Sequence, residues 1–480
     1  MGMALKPRRS PAEGEFLFEM DPEPLEERIT ALGGVPLLVR AIRSFDVPGS
    51  VKRHLHLKQR ERGFDEPTYV ESTLVLHAVG GECLEDFDRL REDPGLADML
   101  GHPVPSAEAG RKFLYQFHEE AAIQQAQQEL PVGQVSYIPT ESAPLRALAQ
   151  VNQELVQHLG RRAPQIQRAT IDLDATVIES WKREAKPTYQ GGSGYQPMVA
   201  LWAEMDLIVA DEFRDGNVPA NKEPLRVAQR AFAALPETVQ EYRFRGDSAC
   251  WEHGLVSWLR NEPREDGPAG FIGFAISVPM HAELLEEIRA TPEEQWQLYS
   301  EDGGAVKRCA QVQYFPAETP ENEYRTPLKY IAIRIEKKQQ ELFADGAGVK
   351  HFAVATNLWD WDVVRLLRWH REKAGTVEAV HAVLKNELAG GVMPCGRFGA
   401  NAAWFRLTVL THNVLSGMKR LALPPELREA RPKRLRFVVF HTPGKLISHA
   451  RQLLLRLTQT WLRFSNWQWA LAQLPLPAPG

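Results

Sequence analysis

Apolar and polar positions alternate at residues 168–180, RATIDLDATVIES, where Ile171 and Leu173 point one way and Asp172 and Asp174 the other. A period of two predicts a strand with one apolar and one acidic face. Two more strands are predicted at 198–203 and 207–213, joined through Glu204-Met205-Asp206 as in a hairpin. The period then lengthens. Residues 221–235 put Leu225, Ala228, Phe232 and Leu235 on one side of a helix. A short strand at 241–245 runs into Gly246-Asp247-Ser248, and 251–260 is helical. GFIGFAISV, 270–278, is apolar enough for a sheet interior. Strands followed by alternating helices and strands predict an α/β fold, a mixed sheet with helices on its faces.

The flanks read differently. Helices are predicted at 35–43 and 68–79, then three short ones at 83–91, 94–100 and 106–118, separated by Asp93-Pro94, Gly101 and the Pro103/Pro105 pair. Ser106 is a good N-cap, and Arg111 and Lys112 follow on its helix. Short helices at this spacing suit a helix-turn-helix-like DNA reader, and equally a small bundle with no DNA role. Residues 119–163 are Gln-rich and helical, a connector ended by Pro164. The expected organisation is an all-α N-terminal DNA-binding domain at 1–150 and the sheet domain at 165–278 and 351–422. A β-rich insertion at 279–350 would split that sheet domain. It holds the helix HAELLEEIRA and strands around 310–315 and 329–336. The sheet resumes at HFAVATNL, and 400–421 is a long helix. A basic region at 423–480 follows, with a strand at 435–440 and a helix at 445–464.

Between these lies REKAGTVEAVHAVLKNELAGG, 371–391. It predicts a helix opening at Thr376 as N-cap and stopping at Gly390-Gly391. Glu378, His381 and Lys385 form one stripe, and Val377, Val380, Leu384 and Leu388 a core-facing one. Taken alone, that polar stripe is an ordinary solvated helix face, and His381 a structural histidine.

Composition narrows the classes. The net charge of -5 excludes a uniformly basic nucleic-acid binder but leaves room for local patches. One is 51–63, with Lys52, Arg53, Lys58, Arg60 and Arg62. Another runs from Lys419 to Arg463, with eleven Lys/Arg against Glu426 and Glu429. Cys83, Cys250, Cys309 and Cys395 are scattered, which excludes a disulfide scaffold or zinc ribbon and fits a reducing cytosol. The first residues lack the apolar stretch of a secretory signal, and no run is long enough for a membrane helix. A cytoplasmic, nucleoid-associated protein is expected.

Three acids carry the candidate chemistry: Asp174, or its same-face neighbour Asp172, on the first strand; Asp247 at the end of the fourth; and Glu378 on the later helix. IDLDATV, YRFRGDS, GTVEAVHAVLKNELAGG and FGANAAWFRLTVLTHNVL resemble the DDE transposases of bacterial insertion sequences. The subgroup resembled carries a β-strand insertion before the catalytic glutamate. EFRDGNVPA, 212–220, shares that family's look. The resemblance implies an RNase H-like domain in which Asp174, Asp247 and Glu378 hold two Mg²⁺ ions, with Mn²⁺ able to substitute. Such a pair of ions clamps the attacking and leaving oxygens of a phosphodiester displacement. It implies double-stranded DNA as partner, at the element's ends and at the target, and a homodimer on that DNA. Lys385 matches the family lysine seven residues after the glutamate. Where the family has an arginine four residues before it, this chain has Ala374, with Arg371 and Lys373 nearby. Arg111 and Lys112, with Lys433, Arg434 and Arg436 of the basic tail, complete the expected DNA contacts.

Other readings stay open at this level: a nuclease without strand transfer, a silent DNA-binding derivative, or a glycoside hydrolase using paired acids. The basic tail disfavours the last. Trp296 is a candidate for stacking a flipped base or for packing the insertion. GGSG at 191–194 lacks the Lys-Ser/Thr of a phosphate loop and predicts a turn. A nucleophile built on Ser248 and His253 lacks a GxSxG elbow.

Overall fold

The computed structural model describes residues 21–23, 27–58, 63–302, 304–316, 327–337, 349–450, 452–457 and 464–476. Nine strands make one sheet: β1 (Arg168–Ala175), β2 (Met198–Trp202), β3 (Leu207–Glu212), β4 (Glu241–Gly246), β5 (Ile272–Val278), β6 (Gln297–Asp302), β7 (Ala305–Val312), β8 (Lys329–Lys337) and β9 (Val349–Thr356). Their order is β6-β7-β8-β9-β5-β4-β1-β2-β3. β4 runs parallel to β1 and to β5, and every other pair is antiparallel. The β2–β3 connection is the expected hairpin. It turns at Asp206 with φ 55°, a left-handed conformation that a short polar side chain tolerates.

Residues 279–350 were expected as an insertion, and their strands extend this same sheet. Period-two patterning explains how. Ala310, Val312, Tyr330, Ala332, Ala353 and Ala355 face a core closed by the helix Ala282–Ala290 and Trp296. Cys309, Ile331, Ile333 and Val354 face the opposite core, closed by Leu366, Leu367 and Trp369 of helix Val363–Arg371. Trp296 is buried there, donating to the Thr291 carbonyl beneath the Arg334 guanidinium. It packs the subdomain and is not displayed to a partner.

The helix Phe398–Ala422 is the central rod. It is buried on all sides from Gly399 to Met418, so its polar residues must find internal partners. Arg406 donates to Asp211, Glu141 and the Leu145 carbonyl. Asn413 accepts from the Ile208 amide and donates to Asn152. The N-terminal helices Val35–Ser44, Glu66–Val79 and Ala107–Tyr115 pack on this rod, and their apolar residues share one core with β1–β4. Residues 1–20, and Arg60 and Arg62 of the first basic patch, lie outside the described residues.

The tail departs from expectation. Residues 436–440, predicted as a strand, form a π-helical turn, Arg436–Phe440. The helix expected over 445–464 is a hairpin, Gly444–His449 with Gln452–Leu457, extended by Ile29–Thr30. Leu446 is buried while Leu453 and Leu454 are exposed. With 458–463 outside the described residues, KLISHARQLLLRL offers enough apolar positions to satisfy either period. Among the described residues, no helix is long and apolar enough to cross a membrane.

Candidate active site

The parallel pairing of β1 with β4 builds the site. The register sets Thr170 beside Arg243, Asp172 beside Arg245 and Leu173 beside Gly246. One step further along both strands stand Asp174 and Asp247. Alternation then gives one sheet face carrying Asp172, Asp174, Arg243, Arg245 and Asp247. β4 ends there because the Asp247 carboxylate accepts from the Ala249 amide at 3.0 Å, capping the short turn Ser248–Cys250. The segment from Trp369 to Glu378 crosses over these strand ends. His370 Nε2 lies 3.1 Å from the Gly246 carbonyl, and Arg243 and Arg245 stack on Trp369.

The two candidate aspartates, Asp172 and Asp174, differ in their partners. Asp172 is fully buried and gripped by Arg245 through two parallel bonds, Nε to Oδ1 at 2.6 Å and Nη2 to Oδ2 at 2.9 Å. Thr376 also donates its hydroxyl to Oδ2. Thr376 does stand at the start of helix Val377–Glu387, but its side chain caps nothing, because it is committed to Asp172. Arg245 goes on to the Trp369 carbonyl and to Glu372 at 3.0 Å. That network engages both oxygens of Asp172.

Asp174 faces the other way in function. Its Oδ1 lies 3.1 Å from Lys373 Nζ and its Oδ2 3.4 Å from His381 Nε2. Glu378 Oε1 is 4.0 Å from the same ammonium, and its side chain is half exposed. Asp247 completes the group: burial pushes its carboxyl up, with Lys373 opposing and Asp174 reinforcing the rise. Burial also works to raise Asp174, but His381 and Lys373 outweigh it and hold it below the usual carboxylate range. Burial would lower Lys373, and Asp174 and Asp247 together raise it instead. Lys373 thus lies within 4.0 Å of Asp174 and Glu378 and within electrostatic reach of Asp247.

Asp247, Lys373 and Glu378 line a cavity of about 510 Å³ together with Ser248, His370 and Arg371, and with Pro279, Met280 and His351. Among the described residues no three His, Cys, Asp or Glu side chains are gathered closely enough to hold a metal ion. The donor chemistry is nevertheless of the kind a hard cation takes: the carboxylates of Asp174, Asp247 and Glu378, beside an ammonium that Asp174 and Glu378 approach within 4.0 Å.

The expected DNA contacts divide. Arg371 is exposed on the cavity wall beside Ala374, where the family arginine is missing. Lys373 is turned inward. Lys385 donates to Thr176 Oγ1 at 2.9 Å and to the Val177 carbonyl at 3.3 Å. Arg111 is paired with Glu85 and Glu108, and Lys112 is 3.5 Å from Glu108. Lys433 and Arg434 are exposed. Arg436 is an internal residue, donating to the carbonyls of His77, Ala78 and Glu387 where the helix Glu66–Val79 ends. Sequence reasoning missed Arg245 and His370, and read Thr376 as an N-cap where its hydroxyl meets Asp172. The RxRGD alternation in YRFRGDS was the available signal for Arg245, since it puts an arginine on the acid-bearing face.

A family model described as transposase DDE domain group 1 matches residues 26–476. No curated protein matches the chain. Among solved structures, a piggyBac transposase from a cryo-EM synaptic complex with hairpin DNA is similar at 12% identity and a TM-score of 0.45, covering 84% of this chain and 78% of that one. With the family model spanning all but the two ends of the sequence, this chain belongs to the DDE transposases.

Proposed function

We propose that the protein is an RNase H-like transposase of the bacterial insertion-sequence type. It binds the terminal inverted repeats of its element and moves it by DNA cleavage and strand transfer. One observation carries the reading: Asp174 and Asp247 end adjacent parallel strands, Glu378 opens the crossing helix, and all three act on one cation. Acids on the first strand, the fourth strand and a later helix are the arrangement an RNase H-like site requires.

Asp174, Asp247 and Glu378 would hold two divalent ions, Mg²⁺ or Mn²⁺, which supply a lowered pKa for water and charge stabilisation at the phosphate. The chain's own residues do the rest. The Asp172–Arg245 pair locks β1 to β4, so that the two catalytic aspartates stay in register. Thr376 and His370 tie the crossing segment to the same strands, which sets where Glu378 enters. Arg371, Lys433 and Arg434 are the free cations available for phosphates. A pair of element ends calls for two copies of the chain on the DNA.

The test is cleavage of a terminal-repeat duplex with added Mg²⁺. Asp247→Asn and Glu378→Gln should each abolish it without lowering Tm by more than a few degrees, and retained cleavage in either variant would remove that residue from the triad. Joining of a pre-cut end to target DNA then separates a transposase from a plain nuclease.

A further inference from the structure

The chain between β1 and β2 does not return directly. It folds into a small flap of three short strands, ordered Ile178–Glu179, Ser193–Tyr195, Lys186–Pro187. Its root is built tightly. The Lys385 ammonium holds Thr176 and Val177, so the lysine expected on phosphate instead ties the flap to the helix bearing Glu378. Gly194 is packed so closely that an added Cβ would lie 2.1 Å from the Ile178 carbonyl oxygen. Tyr195 bridges to Asp215, and Gly216 donates to the Gly194 carbonyl at 3.0 Å. Gly191 and Gly192, at φ 89° and 73°, make the tight return that the sequence predicted as a turn.

The tip is the opposite. Trp181 is 95% exposed and Tyr189 75% exposed. Lys182 is exposed beside Trp181, and the Arg183 side chain is 95% exposed. Trp is ordinarily among the most buried residue types by area. Thermal stability gains nothing from an indole held in water. Trp181, seven residues along the chain from Asp174, together with Tyr189, Lys182 and Arg183, whose guanidinium lies 3.9 Å from Glu184, matches the chemistry of single-stranded nucleic acid. Aromatic faces stack bases, and cations meet the backbone between them. Paired bases inside a duplex offer no face to such a platform.

We propose that this flap, through Trp181 and Arg183, binds unpaired nucleobases of a DNA end beside the catalytic acids. The inference rests on the transposase reading and deepens it: the substrate the site prefers is a frayed or single-stranded end, and Lys385 is the positioning residue that keeps the flap against the active-site helix.

Fluorescence anisotropy on the full chain tests it, with two probes of the same sequence: a blunt duplex, and one with a short single-stranded overhang carrying 2-aminopurine. Wild-type protein should bind the overhang more tightly and quench its 2-aminopurine. Trp181→Ala should weaken overhang binding by about five- to 150-fold, abolish the quench, and leave blunt-duplex binding and Tm unchanged. Trp181→Phe should restore most of both. Equal weakening on both probes, no weakening on either, or a change in oligomeric state without a change in the overhang preference would each overturn the proposal. Wild-type protein that bound neither probe would overturn the transposase reading itself, and this inference with it.

Discussion

Asp172 and Asp174 stand two residues apart on the same face of β1, one met by an arginine and the other by a lysine. The guanidinium of Arg245 matches Asp172 with two parallel bonds and fills its remaining donors from Trp369 and Glu372. Guanidinium is planar, permanently charged and weakly hydrated, so such a pair persists when buried. The Lys373 ammonium is a point charge on a flexible stem, 3.1 Å from Asp174 and 4.0 Å from Glu378. Nothing in its geometry is specific to one carboxylate, and another cation can take its place. The difference separates a carboxylate committed to one arginine fork from one held by a lysine and a histidine.

The largest expected effect tests that separation directly. Asp174→Asn should lower metal-dependent DNA cleavage by at least about a hundredfold, the loss that even partners of metal ligands can cause, with Tm nearly unchanged. Asp172→Asn should do the reverse. It leaves Arg245 buried beside a neutral group, which costs about 3–5 kcal/mol, and cleavage falls mainly with the folded fraction, with a modest further loss as the sheet register loosens. Cleavage assays run beside thermal unfolding read both. The comparison breaks if Asp172→Asn keeps its Tm and loses cleavage.

Asp215 shows what happens to a buried acid with neither partner. Burial pushes its carboxyl up to about 6, with Lys186 only partly opposing. A raised carboxylate pKa means the folded state holds its proton longer than the unfolded state does. The resulting cost is absent below the ordinary value of 3.8, grows as pH rises to about 6, and is fully present above it. Two units correspond to about 3 kcal/mol. Asp215→Asn should therefore be more stable than wild type at pH 7.5 and lose that advantage by pH 4, as urea unfolding at the two pH values would show. A constant difference between the two would mean that Asp215 ionises freely.

Much of this was legible in the sequence, for reasons that mark the boundary of the method. Apolar patterning located β1 to β5, and acids at two strand ends and a helix pointed to Asp174, Asp247 and Glu378, which the fold brings to one region around Lys373. Asp172 and Asp174 could not be told apart, because alternation puts both on one face. What separates them is Arg245, brought to Asp172 by strand pairing, and Lys373, which is distant in sequence. Charge was the poorest guide. Arg436, Arg111 and Lys385 read as free cations and are engaged with carbonyls, carboxylates and the flap root. Composition counts such residues, and only packing shows which are spent internally. The C-terminal hairpin was missed because a run that is apolar at many positions fits two periods at once.

A smaller effect sharpens the arginine side. Arg245→Lys keeps the charge and loses the fork, the second bond to Asp172 and the stacking on Trp369. A loss of about 1–3 kcal/mol is expected, measured by urea unfolding. Because the sheet register would loosen with it, cleavage should fall modestly while metal affinity holds. An unchanged stability would mean that the fork adds nothing over a point charge at this position.

The smallest expected effect falls on the lysine side, and it decides whether Lys373 is an exchangeable cation. Lys373→Met removes the charge that Asp174 and Asp247 share, so in metal-free buffer their repulsion goes unopposed. The same substitution also spares the desolvation of a buried ammonium, and Asp247, whose carboxyl burial already raises, can relieve the rest by taking up a proton. The net loss in EDTA should therefore fall below the loss of about 3–5 kcal/mol in an isolated buried pair that loses one partner. Divalent ions should reverse it. With the ammonium gone there is no competitor to displace, so Mn²⁺ binding by calorimetry should tighten, and the Tm gain on adding Mg²⁺ should exceed that of wild type. Lys373→Arg should shift both in the opposite direction, since a guanidinium grips a carboxylate better than the ion's competitor should. If Lys373→Met instead weakened Mn²⁺ binding, or lost the same stability with and without metal, the lysine would be as structural as Arg245, and the two aspartates would differ only in exposure.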